Sequence, residues 1–252
     1  MRDILRECIR QGHRTIPYPD GAPALPDRFR GLPSIDAARC PAGCRACVNA
    51  CPTAAITVES KGPALDLGRC LFCGDCAAAC PAGALAFSRE HRLASTSREG
   101  LVVRSGGDAP KVVPPPGLAR LFSRSLKLRQ VSAGGCNACE ADLNVLGTIV
   151  FDLGRFGVSF VASPRHADAL VVTGPVSANM RLALEKTYAA TPAPKLVIAA
   201  GACAISGGPY RGHPEVHDGA APTVPVDLYI PGCPPHPLTT LDAILHLLGR
   251  IA

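Results

Sequence analysis

Short apolar runs alternate with helical patterns through the second half of the chain. Val158-Ser159-Phe160-Val161, Ala169-Leu170-Val171-Val172, Leu196-Val197-Ile198-Ala199 and Leu228-Tyr229-Ile230 are nearly continuous apolar runs. Such runs mark strands buried on both faces. Stretches at about 139–153, 177–190 and 237–250 repeat apolar positions at helical spacing; in the first these are Leu143, Leu146, Ile149, Val150 and Leu153. The alternation predicts a parallel sheet covered on both faces from about residue 128. Near the start, Arg2, Arg6 and Arg10 share one helical face, while Ile4, Leu5, Cys8 and Ile9 cluster elsewhere. That pattern predicts a basic amphipathic helix over residues 2–14. It suits a surface helix packed on its own domain, a helix docked on a partner subunit, or one lying on anionic lipid. Cys8 has no thiol near it in sequence and is expected as a small buried apolar residue.

Between these regions the pattern weakens. Residues 15–39 carry Pro17, Pro19, Pro23, Pro26 and Pro33 and predict an extended, wrapping segment. Residues 91–127 include Ser95-Thr96-Ser97, Ser105-Gly106-Gly107 and Pro114-Pro115-Pro116-Gly117 and predict a semi-rigid linker. A basic patch follows, with Arg120, Arg124, Lys127 and Arg129. It fits a solvated helix face or a dock for an acidic partner. The expected division is 1–90, 91–127 and 128–252.

Composition narrows the class. The chain has 252 residues, of which 47% are hydrophobic, enough for two globular domains. The start lacks the apolar core of a signal peptide, so a reducing cytoplasm is expected. No run is long enough for a membrane span; the best stretch, about 145–162, is broken by Asp152 and Arg155. The net charge of +6 points to an acidic partner or a lipid surface. Nucleic acid is not expected, because only 4% of residues are aromatic.

The thirteen cysteines change the picture most. Cys40, Cys44, Cys47 and Cys51-Pro52 form one unit, and Cys70, Cys73, Cys76 and Cys80-Pro81 form a second. The second unit is the C-x2-C-x2-C-x3-C-P run of bacterial [4Fe–4S] sites, in which the fourth cysteine ligates the other cluster. The expected sets are therefore Cys40, Cys44, Cys47 and Cys80, and Cys70, Cys73, Cys76 and Cys51. The first unit departs from the pattern: three residues separate Cys40 from Cys44, and Gly43 is placed to absorb the bulge. Zinc is the rival for any four-cysteine set, but eight cysteines in this interleaved order favour iron–sulfur clusters.

Four more cysteines lie in the second half. Gly135-Cys136-Asn137-Ala138-Cys139-Glu140 leads into a predicted helix, and Cys203 and Cys233 sit in the glycine turns Gly201-Ala202-Cys203 and Gly232-Cys233-Pro234-Pro235. A lone C-x-x-C is redox-active, zinc-binding or structural with little to choose between them. All these turns follow strand ends, where open α/β sheets place their sites. The reading is one further [4Fe–4S] cluster on Cys136, Cys139, Cys203 and Cys233.

These residues resemble a known family. Gly135 to Glu140, Ser163-Pro164-Arg165-His166-Ala167-Asp168, Thr173-Gly174-Pro175-Val176, Gly201 to Cys203 with Ser206-Gly207-Gly208, and Val226 to Pro235 resemble the small subunit of energy-converting, formate-hydrogenlyase-type nickel–iron hydrogenases. They are also similar to the 20 kDa subunit of respiratory NADH–quinone oxidoreductase. The quinone-reductase relatives carry adjacent cysteines at the first site, so the C-x-x-C sides with the hydrogenase branch. The first 90 residues look like the two-cluster ferredoxin subunit of the same complexes, which makes the chain resemble a fusion.

The resemblance implies a ferredoxin-like domain followed by a flavodoxin-like parallel α/β domain, with three [4Fe–4S] clusters in all. It implies an electron-transfer subunit with no complete catalytic site of its own. Its partners would be a hydrogenase-like large subunit, other subunits of a membrane-bound complex, and an electron donor or acceptor protein. The expected place is peripheral, on the cytoplasmic face of the cell membrane. Glu140 is the implied candidate for a proton route; the plainer reading is a carboxylate at a helix start. Arg165 and His166 are implied to tune the nearby cluster; the plainer reading is a pair of surface residues in a turn. His91, His213, His217 and His236 are expected as ordinary loop histidines. The same relay ending at quinone is the alternative.

Overall fold

The computed structural model describes residues 2–122 and 124–251. The N-terminal half begins with helix α1 (Arg2–Gln11), followed by the proline-rich segment. Strand β1 (Pro33–Ile35) leads to the first cysteine unit and helix α2 (Ala46–Ala50). Strands β2 (Ile56–Glu59) and β3 (Gly62–Asp66) follow, then the second unit with helix α3 (Asp75–Ala78), and then β4 (Leu85–Phe87). β1 pairs antiparallel with β4, from Pro33 opposite Phe87 to Ile35 opposite Leu85. The two repeats are thereby closed into one body, with α2 packed on α3.

The stretch expected as a linker does more than span. Strand β5 (Val102–Arg104) adds to β3 as a third antiparallel strand. Leu93, Ala94, Ser95, Leu101 and Val103 are buried. Ser95 also exchanges backbone hydrogen bonds with Tyr229 of the second half, at 3.1 and 2.9 Å. The serines and glycines masked a sparse set of apolar anchors.

The second half opens with a short helix α4 (Leu118–Leu121) and strand β6 (Leu126–Ser132). Lys127 and Arg129 therefore lie on a strand, not on the helix face expected for the basic patch. Next come α5 (Ala138–Val145), β7 (Val158–Phe160), β8 (Ala169–Thr173), α6 (Ala178–Ala190), β9 (Leu196–Ala200), α7 (Ala202–Ser206), β10 (Leu228–Ile230) and α8 (Pro237–Leu247). The five strands form one sheet in the order β10-β9-β8-β6-β7, with every pair parallel. The expected α/β fold with a ferredoxin-like N-terminal unit is what the chain adopts. The expected helix at 139–153 is shorter, because the chain turns away after Val145.

Period-2 alternation sorts the sheet's side chains between two cores. Ala169, Val171, Leu196 and Ile198 face Leu143 of α5 and Leu241, Ile244 and Leu245 of α8. Leu170, Val172, Val197 and Ala199 face the other way, into a cluster that includes Leu184 of α6 and also Leu65, Leu67 and Leu101 of the ferredoxin half. The ferredoxin unit thus supplies part of the layer that a parallel sheet needs on that face.

Candidate metal centres

The two cysteine repeats interleave. Burial is the largest influence raising the thiol of Cys47, and the nearby thiols of Cys40 and Cys80 add to it. Cys70 is pushed up to about 12 by burial first, then by Cys76, Cys51 and Cys73. Cys76 rises to about 11, again by burial first, with Cys51 and Cys73 adding. Cys51, Cys70, Cys73 and Cys76 line one cavity with Leu65, Leu71 and Phe87. The fourth cysteine of each repeat is therefore beside the other repeat's thiols. Thr53 ties them further, its hydroxyl donating to the Arg69 carbonyl at 2.8 Å. Cys44 stands in the loop expected to bulge. Its amide donates to the Pro41 carbonyl at 3.1 Å, and Gly43 turns the chain with φ +74°, where a Cβ would meet open space.

Backbone amides aim at these sulfurs. Ala55 N–H donates to Cys51 Sγ at 3.2 Å, Phe72 N–H to Cys70 Sγ at 3.3 Å, and Ala84 N–H to Cys80 Sγ at 3.2 Å. For Cys80, burial is the largest single influence and pushes the thiol up. The amides of Ala84, Ala82, Leu85 and Gly83 together outweigh it and hold the thiol below its ordinary value.

In the second half, strand ends bring the cysteines together. β6 delivers Cys136, Asn137 turns the chain at φ +71°, and α5 begins with Ala138 and Cys139. β9 ends at Ala200, Gly201 caps α7, and α7 carries Cys203. β10 ends just before Gly232 and Cys233. Gly201 N–H donates to Ile230 O at 2.9 Å and Ala202 N–H to Gly232 O at 2.8 Å, so the last two loops are fastened to each other. Gly201 adopts φ +94°, and a Cβ there would sit 2.6 Å from Cys139 Sγ. Only glycine leaves that sulfur room. Burial, then Glu140, then Cys203, Cys233 and Cys136 push Cys139 up to about 12. Cys203 rises to about 11 by burial first, then by Cys233 and Cys136.

The donor sets fit iron–sulfur clusters. Adjacent buried thiols raise one another, because several thiolates together need a compensating positive core. Among the described residues, no group of His, Cys, Asp or Glu is drawn in tightly enough for a single metal ion. Thiolates of a cubane bond to different iron atoms and stand apart by the width of the cluster.

Glu140 is buried at 5% exposure, and its Oε1 accepts from Ser132 Oγ and Thr173 Oγ1, each at 2.6 Å. Burial raises its carboxyl, but these hydroxyls and its own amide prevail and hold it below the ordinary value. It is a fixed buried charge beside Cys139, more than a carboxylate at a helix start. Arg165 and His166 are exposed in a short turn after β7, where Arg165 N–H donates to Ser163 Oγ.

Two of the histidines expected as ordinary loop residues have defined settings. His236 begins α8: its Nδ1 accepts from Leu238 N–H, and its ring stands edge-on to Phe29 at 5.3 Å. His91 is largely buried and lies 3.8 Å from Asp242 of α8, to which Tyr18 also bonds. Sequence carried little signal for either, because the partners are distant along the chain. Cys8, expected as a small buried residue, is exposed on α1.

Fold and site together define an iron–sulfur protein in which a two-cluster ferredoxin unit is joined to a parallel α/β domain with its own cysteine set. Residues 39–84 match the 4Fe-4S dicluster domain, and residues 136–247 match the family described as NADH ubiquinone oxidoreductase, 20 Kd subunit. The chain belongs to that 20 Kd subunit family. It is 38% identical over 135 residues to the probable membrane-bound hydrogenase subunit mbhJ of Pyrococcus furiosus, covering 54% of this chain and 81% of that protein. It is 42% identical over 134 residues to formate hydrogenlyase subunit 7 of Escherichia coli, covering 53% of this chain. That match spans about half of the relative's length, 52%. Among solved structures, a chain of the membrane-bound sulfane sulfur reductase, an archaeal respiratory membrane complex, matches 53% of this chain and 73% of its own length, at 32% identity and TM-score 0.47.

Proposed function

We propose that this chain is the iron–sulfur relay subunit of a membrane-associated nickel–iron hydrogenase complex of the formate-hydrogenlyase type. Residues 1–90 form the ferredoxin unit, 91–127 the connection and 128–252 the 20 kDa-like domain. Three [4Fe–4S] clusters are held by Cys40, Cys44, Cys47 and Cys80, by Cys51, Cys70, Cys73 and Cys76, and by Cys136, Cys139, Cys203 and Cys233. Each cluster supplies one-electron transfer when bound. The observation that supports this reading is a contact between the loop that bears Cys70 and the helix that bears Cys203. Ser206, on the helix that holds Cys203, donates to the carbonyl of Gly68, two residues before Cys70, at 2.8 Å. Leu71 and Phe72 also share a groove with Cys233 and Pro234. The set containing Cys40 and Cys47 is then the outer one, facing a donor or acceptor protein.

The third set faces a large partner subunit that carries the catalytic centre. With all three sets assigned, Cys8 alone of the thirteen cysteines is left over, too few for a nickel site in this chain. Glu140, fixed between Ser132 and Thr173, holds a charge at that junction and a position for passing a proton. Arg165 and His166 stand exposed, available to the partner and to tuning of the third set. The C-x-x-C spacing of Cys136 and Cys139 favours the hydrogenase reading over the quinone-reducing one. Anaerobic purification tests the proposal by metal analysis and EPR. The expected result is about 12 iron atoms per chain, three cubanes of four. A colourless, zinc-loaded protein would end the redox reading, and about eight iron atoms would remove one station.

A further inference from the structure

One corner of the molecule exposes apolar side chains that the relay does not use. Helix α1 has no buried residue, and Ile4, Leu5 and Ile9 are 68%, 60% and 82% exposed. The chain leaving it is tied to the turn beyond α5. Thr15 Oγ1 donates to Ile149 O at 2.7 Å, and Ile16 N–H donates to Val150 O at 2.9 Å. Arg155 fastens the same segment, its guanidinium donating to the carbonyls of Ile16 and Tyr18 at 2.9 Å. At that tether Ile149 and Val150 are themselves 68% and 41% exposed. Three large apolar side chains thus lie exposed on α1 and two more at the turn where the chain leaving it is anchored, where scattered single ones would need no explanation.

The charge of this corner says what covers it. Arg2, Arg6 and Arg10 run along one line of α1 beside the apolar side chains, and Arg14 follows. On α1 only Asp3 and Glu7 oppose them, and Glu7 accepts from Arg10 and Gln11, so Arg2 and Arg6 are the arginines of that line without this intrahelical bond; at the tether Asp152 is matched in charge by Arg155. An apolar stripe edged with arginines is the pattern of a helix lying in the headgroup plane. Its apolar side enters the acyl boundary, and its cations meet lipid phosphates. Such a helix gives a chain a hold on a membrane without a spanning segment, and no helix among the described residues is long and apolar enough to span one.

We propose that this corner rests on an anionic bilayer surface, with α1 lying in the interface and Ile149 and Val150 beside it. The inference goes beyond the relay and does not depend on it, because it uses no cysteine set.

The test uses the full, iron-loaded chain and flotation with vesicles of phosphatidylcholine, with or without phosphatidylglycerol. The wild-type chain is expected to float with the phosphatidylglycerol vesicles, to stay behind with phosphatidylcholine alone, and to be released by added salt. Ile4→Asp with Ile9→Asp abolishes flotation. Replacing Arg2, Arg6 and Arg10 by Gln lowers partitioning about 100-fold. Ile149→Asp lowers it less. Iron content and EPR signals stay unchanged in every variant, so failure here is separable from failure of the relay. Wild-type protein that remains lipid-free, or variants that float as well as wild type, would overturn the proposal. So would isoleucine variants that release a co-purified subunit while flotation persists, since the face would then belong to protein.

Discussion

The two halves gather their sulfurs by opposite means. In the ferredoxin half, Cys70, Cys73 and Cys76 lie within one loop and the start of one short helix, and only the fourth thiol, Cys51, arrives from elsewhere. In the α/β half, Cys136, Cys139, Cys203 and Cys233 come from loops after three different strands. They meet only because the sheet places β6, β9 and β10 side by side in one direction, with β8 between. One arrangement is written into short spacing, and the other exists only once the whole sheet is built. The first is expected to survive local damage to the fold better than the second.

Removing single ligands tests that contrast most strongly. Cys203→Ala should cut iron from about 12 to about eight atoms per chain. It should erase the EPR signal of the third set alone and, on the proposed function, stop turnover with the proposed large subunit. Cys51→Ala should also lower iron to about eight, but the lost signal should belong to the cluster of the second repeat, not to that of its own. Loss of the Cys40–Cys47 signal in Cys51→Ala would mean that the repeats do not interleave.

The same contrast explains what the sequence made legible. Both ferredoxin units could be read directly, because ligand spacing, the following proline and the repeat are all local. The third set needed the glycine turns at strand ends, and those too are local marks. What stayed hidden was long-range. Strand β6 was obscured because Lys127 and Arg129 alternate with Leu128 and suggested a charged helix, yet Leu126 and Leu128 are fully buried. The period is 2, not 3.6, and only its place between β8 and β7 in the sheet decides that. Val103 looked like part of a spacer, because its partner Leu65 lies far back in the chain. The Glu140 pocket was equally invisible, since Ser132 and Thr173 belong to two neighbouring strands.

A smaller effect should come from the seam between the halves. Ser206 Oγ, buried, donates to the carbonyl of Gly68, also buried. Ser206→Ala leaves that carbonyl without its donor, at a cost of about 1–3 kcal/mol. The midpoint of chemical unfolding should fall accordingly, with all three EPR signals retained at neutral pH. Loss of the third signal instead would show that the seam shapes the metal site as well as joining the halves.

The smallest effect lies in the strap that binds the proline-rich segment, the end of the ferredoxin unit and α8. Glu90 receives Arg92 twice through its guanidinium, at 3.0 and 2.7 Å, and once through its amide at 2.9 Å. The Arg92 side-chain bond is the main cause holding Glu90 down at about 2, against burial that raises it. A carboxylate whose folded pKa is depressed contributes stability above its unfolded value of 4.5, and loses it as pH falls toward about 2. Arg92 is 59% exposed, so water screens much of the pair, and the contribution is below about 1 kcal/mol. His91 acts in the same direction. Burial holds its pKa below 6.5, so the fold favours the neutral ring, and that share of stability is lost as pH falls below 6.5. Glu90→Gln should therefore lower stability slightly at neutral pH, and its gap from wild type should close between pH 4.5 and about 2. Iron should stay in both halves throughout the neutral range, because no cysteine touches the strap. A gap that widened on acidification would reverse the sign of this coupling and make the strap a repulsive contact that the two halves tolerate.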